Sequence, residues 1–157
     1  MSGGTELADA LTREHHTIDI GIETFLDGLD IERDDAPLHA AMDALRRHIY
    51  LEEEFLFPPL RAGGMLMPIL VMEREHGELW RAMNTLEHTL HAPGDPEALR
   101  DGCRSLLTLL ESHNSKEEPV VYPRADADLT DAQQDQLAAF LESGTVPDGW
   151  VCAKALA

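Results

Sequence analysis

One skeleton occurs twice in this chain, as HIYLEEEFLFP at 48–58 and HNSKEEPVVYP at 113–123. Each copy reads His, three residues, two Glu, three residues, an aromatic ring and Pro. On a helix, residues four apart lie one turn above another on the same face. That face is the apolar one in both copies. The row Ala41, Leu45, His48, Glu52, Phe55 continues one hydrophobic stripe, and Leu99, Cys103, Leu106, Leu110, His113, Glu117 continues another. A buried imidazole and carboxylate each cost free energy unless partnered, so the fold has to supply partners for both pairs.

The flanking pattern is helical throughout. Apolar residues recur three and four apart, with no clear alternating run, which predicts an all-α chain. A first helix is expected from about Thr5 to Gly28, along Leu7, Leu11, Ile18, Ile22 and Phe25. A second begins near Pro37 and stops at LFPP, with Gly63 and Gly64 marking the next turn. A third runs from about Met67 to Leu90 and is broken by APGD at 92–95. A fourth starts at Pro96 behind an Asp95 cap and ends near Pro119. Thr130 and Gln133 form a capping-box pattern that opens a short fifth helix to about Glu142, and GTVPDGWVCAKALA reads as an irregular tail. Short links between long amphipathic helices predict an up-down-up-down four-helix bundle over 1–126, with the short fifth helix and C-terminal tail of 127–157 packed on the same domain.

The other two long helices carry the same conflict. His15 lies between Leu11 and Ile18 on the first stripe, and His76 between Met72 and Leu79 on the third. Four helices thus turn His15, His48, Glu52, His76, His113 and Glu117 inward. Hydrogen-bonded His–Glu pairs without a metal would satisfy some of these groups, but six converging ones point to shared cations. Mixed imidazole and carboxylate donors suit iron, zinc or manganese better than calcium or magnesium. Two ions, bridged by Glu52 and Glu117 and held terminally by the histidines, would use every group. Glu14-His15 and Glu75-His76 match each other as the two longer motifs do, which fits two helical hairpins about a pseudo-twofold axis.

In order and spacing, EH, HxxxEExxxFP, EH and HxxxEExxxYP resemble the hemerythrin-like family, the HHE cation-binding domains, over about residues 5 to 125. The resemblance implies a four-helix bundle with a non-haem centre of two iron ions, zinc or manganese being the substitutes. By position it implies His15, His48, His76 and His113 as imidazole ligands and Glu52 and Glu117 as bridging carboxylates. Oxygen carriers of the family have a further histidine one turn after the third-helix ligand, where this chain has Trp80. That departure leaves an open coordination site and argues against reversible oxygen carriage. The expected function is binding or sensing of a small ligand, dioxygen, nitric oxide or peroxide. The alternatives are a di-iron enzyme acting on peroxide or nitric oxide, iron-centre repair, and a helical interaction module docking through an exposed tail with Trp150. The ferritin-like Glu-x-x-His signature occurs inward once, at Glu73 and His76, and fits less well.

The formal charge of −18 excludes the basic patch that phosphate contacts need, so neither nucleic acid nor an anionic membrane is an expected partner. A monomer or weak homo-oligomer is expected. Two cysteines make no disulfide framework, and MLMPILVM at 65–72 is too short to span a bilayer, which together suggest a cytoplasmic protein. Cys103 reads as core and Trp80 as a wall of the pocket, while Tyr50 and Tyr122 have phenols within reach of a metal but read as structural. Glu53 and Glu118 read as outward-facing or as hydrogen-bond partners of the ligands. His16, His39, His88 and His91 fall outside the set.

Overall fold

The computed structural model describes residues 5–92 and 95–156. Within them the chain is helical and has no strand. The elements are α1 (Glu6–Gly28), α2 (Ala36–Leu51), α3 (Phe57–Ala62), α4 (Leu66–His91), α5 (Pro96–Lys116), α6 (Tyr122–Asp128) and α7 (Asp131–Ser143). Two π-helical turns, Glu52–Leu56 and Glu117–Val121, join α2 to α3 and α5 to α6. Helix α1 packs along α2 and α4 along α5, while α1 also touches α5 and α6.

The helix ends follow local chemistry. Asp95 accepts from the Glu97 N–H and Pro96 opens α5, so a donor-free residue sits where a donor would go unused. Of the APGD break, Pro93 and Gly94 lie outside the described residues. Thr130 and Gln133 form the reciprocal capping box of α7. Thr5 gives α1 no side-chain cap; instead both oxygens of Asp126, from α6, accept from the Leu7 and Ala8 N–H groups at 3.0 Å. Gly64, at φ +105°, makes the turn into α4.

Two stretches run differently from the sequence expectation. The second helix does not stop at LFPP, nor the fourth near Pro119; each passes through a π turn and continues as α3 or α6. Pro58 and Pro123 cannot donate to a carbonyl one turn back, and their rings crowd that carbonyl in a regular helix. The wider turn relieves this, closed by the Phe57 N–H bonding Glu52 O and the Tyr122 N–H bonding Glu117 O. Leu56 is buried as its place on the stripe predicts, but the slip brings Phe57 to full burial and leaves Phe55 only partly buried.

The core is in two parts. One apolar cluster contains Ile18, Leu45, Ile49, Leu79 and Leu110, and the other Leu11, Leu51, Phe57, Met72 and Val121. On α1, α2 and α4 the inward histidine falls between a residue of one cluster and a residue of the other, and His113 of α5 lies between Leu110 of the first cluster and Val121 of the second, in the π turn that follows. The buried polar groups therefore form a layer with hydrocarbon above and below.

The C-terminal segment lies against the chain's own helices. Trp150 meets Tyr50 and Trp80 edge-on, with ring centroids 5.0 and 5.5 Å apart. Cys152 and Ala155 are buried in the first cluster. Arg81 Nη1 donates to Lys154 O at 2.9 Å. This tail is docked, where the interaction-module alternative needed it exposed.

Candidate metal centre

The six inward residues come together. Atoms of His15, His48, Glu52 and Glu117 lie within 4.8 Å of one another, as do atoms of Glu52, His76, His113 and Glu117. The two carboxylates belong to both sets. All six side chains are buried, Glu52, His76 and Glu117 completely.

A carboxylate beside each ring fixes which nitrogen faces inward. His15 Nδ1 lies 2.8 Å from Glu118, His48 Nδ1 2.7 Å from Glu14, His76 Nδ1 2.8 Å from Glu53 and His113 Nδ1 2.9 Å from Glu75. An ionised carboxylate only accepts, so each Nδ1 carries the hydrogen and each Nε2 is left to face the centre. The pairing crosses over between motifs. The Glu of each EH pair orients the His of the HxxxE on the neighbouring helix, and the second Glu of each HxxxEE orients an EH histidine. Glu14 and Glu75 had no assigned role in the sequence reading, yet their place directly before His15 and His76 in a repeated pair was the available signal. Lys116 holds the other oxygen of Glu75. His113 and Lys116 together, against a smaller opposing effect of burial, bring the Glu75 carboxyl down to about 2.

The inward nitrogens are not accommodated by protein hydrogen bonds alone. His15 Nε2 and His48 Nε2 are 3.1 Å apart; with each Nδ1 hydrogen committed to a carboxylate, two neutral rings would set two acceptors face to face, a conflict that a proton or a cation between them relieves. Among the described residues Glu117 Oε2 is buried with no hydrogen-bond partner, and His113 Nε2 lies 3.3 Å from it. The remaining edges are His15 Nε2 to Glu117 Oε1 at 3.1 Å, His48 Nε2 to Glu52 Oε2 at 3.4 Å and His76 Nε2 to Glu52 Oε1 at 3.0 Å. Metal–donor bonds of about 2.0–2.2 Å give polyhedron edges of about 2.9–3.5 Å. The donor set therefore fits cations in both size and chemistry.

The electrostatics point the same way. Burial lowers the affinity of His48 and His113 for a proton, but Glu52 with Glu14 at His48, and Glu117 with Glu75 and Glu52 at His113, together outweigh it, leaving His48 well above the usual imidazole range and His113 at about 10. Burial would raise Glu117, and His113 and His15 overcome it and hold the carboxyl well below its usual range. A field that draws protons into a buried site draws cations too.

Tyr122, expected from the sequence to be structural, also brings its hydroxyl among the six donors. Its ring is fully buried, and its hydroxyl lies 2.7 Å from His15 Nε2 and 2.8 Å from His48 Nε2, Glu52 Oε2 and Glu117 Oε1. Burial, then the charges of Glu117 and Glu52, push the phenol well above its ordinary range. In a regular helix Tyr122 would stand about 140° round the axis from Glu117. The π turn, closed five residues on, returns it to the same face. The Glu-to-aromatic spacing before Pro was the signal for it. Trp80, taken as a pocket wall, is 6% exposed and lies against Trp150, with Arg46 over its ring.

The sequence profile of the Hemerythrin HHE cation binding domain matches residues 6–125. The chain belongs to this family. Among curated proteins, the HHE chain is similar to the iron-sulfur cluster repair protein YtfE of Escherichia coli, at 32% identity over 93 residues, 53% of this chain and 42% of YtfE. The YtfE of Shigella boydii matches with the same figures. The match thus spans less than half the length of these relatives. No solved structure matches this HHE domain. Among the described residues, no helix is long and apolar enough to cross a membrane.

Proposed function

We propose that this protein is a di-iron protein that binds or senses a small ligand, dioxygen, nitric oxide or peroxide, at an open coordination position. His15, His48, His76 and His113 are the terminal ligands and Glu52 and Glu117 the bridges; zinc or manganese are the substitutes for iron. One observation carries the reading: two sets of four buried donors share two carboxylates, so neither set is complete without the other. Its architectural frame is a four-helix bundle of up-down-up-down order over 1–126, in which α2 with α3 and α5 with α6 each act as one long bent helix, and 127–157 packs on that same domain.

Bound iron supplies a redox-active Lewis acid in this setting. The protein's part is to hold four Nε2 atoms inward through Glu14, Glu53, Glu75 and Glu118, and to keep bulk water out with the apolar clusters on either side. The absorption spectrum of iron-loaded protein, recorded before and after addition of nitric oxide, tests the reading. A ligand-dependent change that is lost in His113→Ala is the expected result, and an unchanged spectrum at full iron content would contradict it.

A second reading is repair of damaged iron centres, and the 32% identity to an iron-sulfur cluster repair protein favours it. Restoration of activity to a damaged iron–sulfur enzyme by the iron-loaded protein, and by no other form, would select it. Both readings use the same centre.

A further inference from the structure

The two halves of the centre are related by the repeat, except at one position. Counting five residues beyond each bridging Glu reaches Phe57 in the first motif and Tyr122 in the second. Phe57 stacks on the His76 ring, with centroids 5.2 Å apart and an interplanar angle of 22°. Tyr122 lies against the His15 ring at 5.3 Å. The rings play matching packing roles, and they differ by one hydroxyl group. That oxygen is 2.7–2.8 Å from all four donors of the first set, whose own edges are 3.1 to 3.4 Å. A fifth atom at such distances from four others occupies a further corner of the same polyhedron. Opposite it, Phe57 offers carbon alone.

We propose that Tyr122, as phenolate, is a fifth protein ligand to the cation held by His15, His48, Glu52 and Glu117, and that the exchangeable position lies on the other cation, held by Glu52, His76, His113 and Glu117. This assignment rests on the di-iron reading and adds to it which metal meets the small ligand. Coordination replaces the phenolic O–H bond by an oxygen–metal bond and releases the proton to solvent, with no change in the oxidation state of either partner. The hydroxyl is already committed to this position by geometry. The ring is completely buried in the second apolar cluster, and the π turn fixes its backbone one turn from Glu117. Trp80, on α4 one turn beyond His76, leaves the second cation without an added imidazole on that helix.

Phenolate bound to ferric iron gives a broad visible charge-transfer band and enhanced tyrosinate ring modes in resonance Raman spectra, and neither imidazole nor carboxylate supplies these. The wild-type protein, iron-loaded and oxidised, should show both, with the Raman modes shifting when it is produced with ring-deuterated tyrosine. Tyr122→Phe should lose both. The isotope measurement needs no variant and so stands whatever the substitution does to folding. Two irons per chain without tyrosinate modes, or an unchanged visible band in Tyr122→Phe, would overturn this assignment alone. Less than one iron per chain would overturn the di-iron reading and this assignment with it.

Discussion

The backbone N–H of Ala153 donates to Glu53 Oε1 at 2.9 Å, and Glu53 Oε2 lies 2.8 Å from His76 Nδ1. The tail is thus one carboxylate away from the centre. Partners that orient a metal-bound histidine are worth about 10–100-fold in metal affinity, so Glu53→Ala should weaken iron binding by that order. Competition with a chelator measures it. Affinity equal to wild type would mean that the Glu53 contact does not orient His76.

Gly77 makes room for the same tail. A methyl group there would sit 2.4 Å from Lys154 O, a backbone atom that cannot rotate away. Gly77→Ala should push the tail off α4 and free Trp150 from Tyr50 and Trp80, with helix content unchanged. Tryptophan emission should move to longer wavelength and become easier to quench. Emission identical to wild type would contradict the close approach.

How much of this was legible beforehand depended on period. His15, His48, His76 and His113 sit on regular 3.6-residue stripes, so their inward direction followed from their apolar neighbours. The α1 and α4 boundaries came within a residue or two for the same reason. Tyr122 and Phe57 lie beyond π turns, where counting by 3.6 gives the wrong face, and Phe55 was assigned inward in place of Phe57. The tail has no periodicity at all. Its docking depends on Gly77, on the Arg81 guanidinium that donates to the tail's carbonyls and on the Glu53 carboxylate that accepts from its backbone, none of which local pattern encodes. Asp126 capping α1 is a contact of the same kind, made across 118 and 119 residues of sequence.

That long-range cap should be measurable. Loss of an N-cap acceptor costs about 0.5–2 kcal/mol, and Asp126 serves two N–H groups, so Asp126→Ala should fall near the upper end. A thermal or denaturant melt reads the change. The same substitution should leave the iron spectrum unaltered, because Asp126 touches none of the six donors.

Both cysteines should be silent in the native protein. Burial pushes the Cys103 thiol to about 11, and burial reinforced by Glu53 pushes Cys152 to about 12. The neutral thiol is favoured in the folded state, so the unfolded chain ionises first, near 9. Between there and about 11 the unfolded chain binds fewer protons, and this contribution to stability falls as pH rises. At pH near 8, alkylation of native protein should be slower than of unfolded protein by a factor of about 100 or more. Equal rates would contradict the burial of both thiols.

Metal analysis of protein produced with iron is the most direct test of the centre. Shared carboxylates between two four-donor sets predict two irons per chain, lost together in Glu52→Ala or Glu117→Ala. A content below one per chain in the wild-type protein, with its helices intact, would contradict the account.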